Sequence, residues 1–169
     1  AALVTHWMSL GFIHGVMNTD NCTLSGETID YGPCAFMDRY DPQQVFSSID
    51  RYGRYAYAAQ AEIAVWNMAQ LATALVPLMP DADDAVARFT EIVHGMADTL
   101  QREWMSRFAA KLGIATPAEG DGPLISEFLA LMHKGQADFT NAFRGLLSDD
   151  ARDQFTDRDA FDAWETRWR

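Results

Sequence analysis

The sequence predicts a mainly α-helical fold with one small β-hairpin. Three observations carry that expectation. Apolar residues recur at helical spacing from residue 58 almost to the C-terminus. Two strand-like runs, Cys22-Thr23-Leu24 and Glu27-Thr28-Ile29, flank the turn pair Ser25-Gly26. And 49% of the 169 residues are hydrophobic, enough for one domain to bury a core.

The elements follow in order. Ala1 to Ile13 places Leu3, Val4, Trp7, Met8, Leu10 and Phe12 at mostly helical spacing. Gly11 and Gly15 loosen the chain as it enters a polar loop. The two short strands come next, and Tyr31-Gly32-Pro33 stops the second. Residues 34–57 show little periodicity but carry Phe36, Tyr40, Phe46, Tyr52, Tyr55 and Tyr57. A segment so aromatic is expected to be a packed, ordered loop rather than a disordered linker. From Ala58 to Leu78, Ile63, Val65, Trp66, Met68, Leu71 and Leu75 mark a helix that Pro77 and Pro80 close. Asp81 is placed to cap the next long helix, which runs through Val86, Phe89, Ile92, Val93, Met96 and Leu100 to Trp104 and Phe108. Residues 113–122 form a Pro/Gly connector. Shorter helices are expected over Leu124–His133, Asp138–Leu147 and Asp159–Trp168, with 149–157 as a polar link. No internal repeat or low-complexity tract occurs.

Charge narrows the function classes. The 24 acidic against 13 basic residues leave a net charge of −11. Nucleic acid is excluded as the main partner, because phosphate binding needs a basic face. No run is long and apolar enough to span a membrane, and no signal peptide is recognisable. Cys22 and Cys34 form no CxxC or zinc pattern, and isolated cysteines of this kind read as small hydrophobes. The low count suits a reducing cytoplasm, and a cytoplasmic, bacterial protein is the expectation.

Chemistry concentrates between His14 and Pro33, HGVMNTDNCTLSGETIDYGP. His14, Asn18, Asp20, Asn21 and Asp30 lie in one short segment, a density that is expensive to bury without a purpose. Transfer of a phosphoryl or nucleotidyl group from ATP needs hard oxygen ligands for a divalent metal. In kinase active sites one ligand is an Asn seven residues after the catalytic-loop His, and the other is the Asp of an Asp-Phe-Gly following a hairpin. Asn21 stands seven residues after His14, and Asp30-Tyr31-Gly32 follows the expected hairpin. Order and spacing together predict a protein-kinase-like C-lobe whose hairpin carries the metal site. One position departs from the pattern. The catalytic Asp would stand two residues after His14, and Val16 is there. Valine accepts no proton. Asp20, beside Asn21, is the other carboxylate of the loop and the candidate base, acting from a shifted direction that suits reaction at the α-phosphate.

The segment HGVMNTDN, the IDYGP that follows, FMDRYDP and GRYAYAAQAEIAVWNMAQLA together resemble the selenoprotein O (YdiU-like) family of protein adenylyltransferases, over roughly residues 1–78. The resemblance implies a pseudokinase fold that binds ATP in a flipped orientation. It implies an enzyme that moves AMP to Ser, Thr or Tyr hydroxyls of proteins and releases pyrophosphate. Asp20 then matches the family's catalytic base, and Asn21 and Asp30 its Mg²⁺ or Mn²⁺ ligands beside the nucleotide. The glycine-rich loop, the Lys–Glu pair and the phosphate-binding arginines of the family's N-lobe do not occur in these residues, nor does its C-terminal Cys or selenocysteine region. The expectation is a partial domain over 1–169, most of a C-lobe, divided into a catalytic and metal-loop region, 1–57, and a helical region, 58–169. Alone it is expected to be inactive. A kinase-like phosphotransferase based on Asp20, a UMP transferase using UTP with manganese, and a non-catalytic helical interaction module are the competing functions. A metal-dependent hydrolase using His14, Asp20 and Asp30 leaves the seven-residue spacing unexplained.

Plainer roles are expected elsewhere. His14 is read as holding its loop by hydrogen bonds, and His6, His94 and His133 as surface or packing residues. Asn18 and Thr19 shape the turn. Asp81, Asp83 and Asp84 form a solvated helix start. The helically spaced Trp and Met residues belong to the core.

Overall fold

The structure, a computed structural model, describes residues 1–148 and 150–169. Six helices and one two-stranded sheet are defined among them. Helix α1 spans Ala2–Leu10 and ends on Gly11, whose φ of 73° and N–H bonds back to Met8 and Trp7 close a left-handed cap. A side chain is excluded there for a second reason, since a Cβ would lie 2.8 Å from the Phe139 ring. Strand β1 (Phe12–Ile13) follows at once and pairs antiparallel with β2 (Ala35–Phe36), Phe12 opposite Phe36.

The sheet is therefore not where the sequence pattern puts it. Residues 22–24 and 27–29 form no ladder. The turn between them exists but is tied by a side chain: Glu27 N–H donates to Thr23 Oγ1 at 3.2 Å, and that hydroxyl donates to the Glu27 carbonyl at 3.0 Å. A threonine that satisfies the opposite strand's backbone competes with the ladder. The short strands 12–13 and 35–36 instead close the neck of the whole polar loop.

Residues 34–57 pack as their aromatic content predicts through Tyr40, Tyr55 and Tyr57, which are buried, whereas Phe36, Phe46 and Tyr52 are exposed. Tyr40 N–H bonds the Ala137 carbonyl at 2.9 Å and Phe139 N–H the Asp38 carbonyl at 2.6 Å, stitching this segment to the entry of a later helix. A 3₁₀ turn at Tyr57–Ala59 leads into α2, Gln60–Leu75. A second 3₁₀ turn, Val76–Leu78, contains Pro77 and ends the helix. Helix α3 spans Ala82–Lys111, and Asp81 caps it by accepting from Asp83 N and Asp84 N. At 30 residues it is about 45 Å long. Its buried residues are Ala85 near one end and Leu100, Phe108 and Ala109 toward the other. The intervening stretch leaves Ile92 exposed across a valley from α2.

Helices α4 (Asp121–Gly135), α5 (Phe139–Gly145) and α6 (Arg158–Trp168) complete the fold. Asp138 and Asp157 cap α5 and α6 through Asn141 N and Ala160 N. The expected link over 149–157 contains a 3₁₀ turn at Ala151–Gln154, and Asp149 lies outside the described residues. Packing runs α1 on α2 and α3, α2 on α3, and α4 on α6. The core is aromatic on the α4–α6 side. Phe128, Phe139, Phe161 and Trp164 are buried, and the Phe128 ring stacks 4.4 Å from that of Trp164. The described residues contain no helix long and apolar enough to cross a membrane.

Candidate functional site

The polar loop leaves β1 at His14. That residue is 1% exposed and does what its position suggests, holding the loop from below. Its Nε2–H donates to the Ile29 carbonyl at 2.7 Å, and its Nδ1 accepts from the Val16 N–H at 3.4 Å. One imidazole thus ties the loop's first turn to the residue before Asp30. This pattern fixes the tautomer, because a carbonyl accepts only from a protonated nitrogen. The Trp7 ring stands 5.4 Å from the imidazole and donates its indole N–H to Thr28 Oγ1.

Gly15 makes the turn that follows. Its φ is 86°, and a Cβ would meet the Pro33 carbonyl oxygen at 3.1 Å. The loop entry is thereby pressed against the loop exit. Thr19–Asn21 forms a single 3₁₀ turn, closed by Asn21 N–H to the Asn18 carbonyl at 3.0 Å. The Asn21 amide donates through Nδ2 to the Val16 carbonyl at 3.1 Å, which turns its nitrogen inward and leaves its Oδ1 as the candidate donor atom. Asp20 is exposed and makes no hydrogen bond or ion pair among the described residues. Asp30 is also exposed and adopts φ 54°, a left-handed conformation that few non-glycine residues take.

Asn21 and the residue before Asp30 are thus linked through one imidazole. Asn21 bonds Val16, Val16 bonds His14, and His14 bonds the neighbour of Asp30. The density of polar groups in this loop is divided between buried and exposed positions. His14 and Met17 are buried, whereas Asn18, Thr19, Asp20 and Asp30 face solvent. The burial cost is avoided by exposing the functional groups and burying their supports.

Two of those supports carry no signal in the motif itself. Gln60 and Asn67 stand seven residues apart on the buried face of α2, with Ile63 and Ala64 between them. Gln60 Oε1 accepts the His14 N–H at 3.0 Å, while its Nε2 donates to the Phe12 carbonyl at 3.1 Å. Asn67 Nδ2 donates to the Met17 carbonyl at 3.0 Å and to Cys22 Sγ at 2.9 Å. One helix therefore grips the first half of the loop at two points, its entry and the turn around Met17 and Cys22. Two amides at a two-turn interval in an otherwise apolar stripe mark Gln60 and Asn67 as unusual in the sequence without saying what they hold.

Cys22 belongs to this support. Burial pushes its thiol up, the Asn67 hydrogen bond works the other way, and the Asp20 carboxylate adds to the rise. A thiol held protonated is not a nucleophile. Neither cysteine is in a disulfide. Among the described residues no group of three or more His, Cys, Asp or Glu side chains is placed to hold a metal ion. The donor set that the loop offers is two hard oxygens, Asn21 Oδ1 and the Asp30 carboxylate. Such a set suits Mg²⁺ or Mn²⁺, which keep water and phosphate oxygens in the remaining positions, and does not suit zinc.

Comparison with known proteins completes the picture. The chain is 62% identical over 167 residues to the protein nucleotidyltransferase YdiU of Ruegeria sp. (strain TM1040), covering 99% of this chain and 35% of that one. It is 61% identical over 169 residues to the protein of the same name from Ruegeria pomeroyi, covering 100% and 36%. With that from Bradyrhizobium diazoefficiens the identity is 50% over 177 residues, again covering 100% and 36%. The chain spans about a third of the length of these curated bacterial relatives. The family model for protein adenylyltransferase SelO matches residues 1–166, and with nearly every position inside that match the chain belongs to this family of nucleotidyltransferases.

Proposed function

We propose that the full-length protein carrying this chain transfers AMP from ATP to Ser, Thr or Tyr hydroxyls of proteins, on a kinase-like C-lobe formed by these residues. The observation that carries the reading is the pairing of an exposed Asp20 with an Asn21 whose amide nitrogen is already engaged, next to a Val16 that bears no carboxylate. In this reading Asp20 accepts the proton of the attacking hydroxyl. The hydroxyl oxygen forms a bond to the α-phosphorus, the bond from that phosphorus to the α–β bridging oxygen breaks, and pyrophosphate leaves. Asn21 Oδ1 and the Asp30 carboxylate would hold Mg²⁺ or Mn²⁺, which when bound neutralises phosphate charge. His14, Gln60 and Asn67 keep those oxygens in register. The 169-residue chain alone is expected to be inactive: a phosphate chain needs cations around it, neither lysine, Lys111 on α3 or Lys134 on α4, lies in the polar loop, and Arg51 and Arg54 stand on the opposite wall of the groove from Val16 and Asn18.

The test uses the full-length protein with Mg²⁺, a protein acceptor, and ATP labelled at either the α- or the γ-phosphate. Label on protein from α-labelled ATP only is the expected outcome. Replacing Asp30 by Ala should lower it more than about 100-fold, beyond what loss of an outer support costs, with the helical circular-dichroism signal unchanged. Label from γ-labelled ATP only would make the enzyme a phosphotransferase, and Asp20 would then not be the base for attack at the α-phosphorus. A parallel arm with α-labelled UTP and Mn²⁺ separates AMP from UMP transfer.

A further inference from the structure

Adenylyl transfer to proteins needs a surface that presents the acceptor hydroxyl to Asp20, and the polar loop itself offers none. Beside it lies a groove of about 640 Å³. One wall is the loop, through Val16 and Asn18, and the other is the turn from Ile49 to Tyr55.

The turn is rigidly built. Both Asp50 carboxylate oxygens are engaged, accepting Arg54 N–H at 2.9 Å and Tyr55 N–H at 2.8 Å. The Tyr55 hydroxyl donates to Asn18 Oδ1, two residues before Asp20. The turn is thus tied to the candidate catalytic loop through Tyr55. Yet it holds two large apolar side chains out in solvent, Ile49 at 79% exposure and Tyr52 at 97%. Its two cations are not taken up by acids, unlike seven others of this molecule. Arg88, Arg107, Lys134, Arg152, Arg158, Arg167 and Arg169 each pair with a carboxylate. Arg51 has no carboxylate partner among the described residues, and the Arg54 guanidinium lies over the Trp66 ring at 4.5 Å rather than on an acid. Arg39, Arg102 and Arg144 also lack a carboxylate partner among the described residues, but Arg51 and Arg54 line a groove beside exposed Ile49 and Tyr52, and in a chain of net charge −11 that makes a patch of the residue types that anchor protein interfaces. Glu62, on α2, is the acidic group that lines the groove from the helix side.

Building on the adenylyl-transfer reading, we propose that this groove seats an extended segment of the acceptor protein, an apolar side chain packing on Ile49 and Tyr52 and an acidic side chain reaching Arg51 and Arg54. The groove then selects hydroxyls flanked by acidic and apolar residues, and it positions them from the Asn18 side of the loop.

Binding and transfer are measured separately in the full-length protein. A fluorescently labelled peptide bearing Ser and Tyr with flanking Glu and Leu is titrated without ATP, beside the same peptide with Lys in place of Glu. The acidic peptide should bind at least about tenfold more tightly, a difference that salt weakens. Arg51→Glu should remove or reverse the preference and Tyr52→Ala should weaken both peptides, while the KM for ATP stays unchanged. The Lys peptide tests folding of the charge-reversed variant, since it should bind that variant better than the parent. Equal binding of the two peptides, no binding by the parent because its own remaining chain covers the groove, or a raised KM for ATP with peptide affinity untouched would each overturn the proposal. Peptide selectivity without label from α-labelled ATP would sink the transfer reading and leave the groove standing. Label transfer without selectivity would do the reverse.

Discussion

Around the polar loop, the contacts that fix the backbone are few and directional. His14 bonds Ile29 and Val16, Gln60 bonds His14 and Phe12, and Asn67 bonds Met17 and Cys22. Around α4 and α6 they are many and non-directional. Phe128 alone has Phe143, Phe155 and Trp164 rings within 5.6 Å, and the Trp164 and Trp168 indoles are pinned by one bond each, to the Leu124 and Leu112 carbonyls. The two regions solve different problems, and the loop's problem is to stay open. Apolar packing would hold the loop only by covering it, which would bury the Asp20 and Asp30 carboxylates. Hydrogen bonds from beneath hold it equally well and leave the carboxylates outside.

The contrast is broken first in the aromatic half. Phe128→Ala empties a site with no solvent exposure and should cost about 3–5 kcal/mol in urea unfolding, the usual range for truncating a buried phenylalanine. A cost below about 1 kcal/mol would mean that the aromatic cluster is not the main apolar store of the fold. In the loop half, Gln60→Ala strands the His14 N–H and the Phe12 carbonyl. About 1–3 kcal/mol is expected for buried partners left unmade, together with faster amide exchange at His14. The two changes differ in kind: Phe128→Ala should lower global stability and leave loop exchange unaltered relative to the rest, whereas Gln60→Ala should loosen the loop selectively.

Smaller effects separate the regions further. Asp81→Ala removes two cap bonds at the exposed start of α3 and should cost about 1 kcal/mol, far from both regions. Lys111 tests the aromatic half by pH. Its ammonium lies 4.2 Å from the Phe143 ring centroid, and burial pushes its pKa from 10.5 down to about 8. Folding therefore favours the neutral amine. Below about pH 8 the penalty of burying the charge is complete, and between about 8 and 10.5 the unfolded chain binds more protons, so stability rises with pH. The buried tyrosines act in the opposite sense above pH 10, Tyr40 being pushed up to about 12 by burial with Asp41 adding to it. The measurement is accordingly the stability difference between the parent and Lys111→Met, which should move in the parent's favour across pH 8 to 10.5. A flat difference would mean that the amine reaches water.

The helices were legible in the sequence because their period is a local property. The Asp81 cap, the proline-terminated α2 and the three shorter helices after residue 120 all follow from spacing and end signals within a few residues. The strands were not. Thr23 offered a side-chain bond that a pattern of apolar and polar positions does not register, and the sheet that did form joins residues more than twenty positions apart. The site divides in the same way. Asp20, Asn21 and Asp30 stand out as residues, because their chemistry and their distance from His14 are written in the chain. Gln60 and Asn67 become parts of the site only through contact.

The helical class, the family and the identity of the candidate oxygen donors could all be read without coordinates, since each rests on residue type and short-range spacing. Three features emerged only when the chain was folded: α2 grips the first half of the loop at two points, the acids face outward, and the turn at residues 49–55 is tied to Asn18 across a groove. Hydrogen bonds depend on angstrom-scale placement of atoms distant along the chain, and no local pattern encodes that placement.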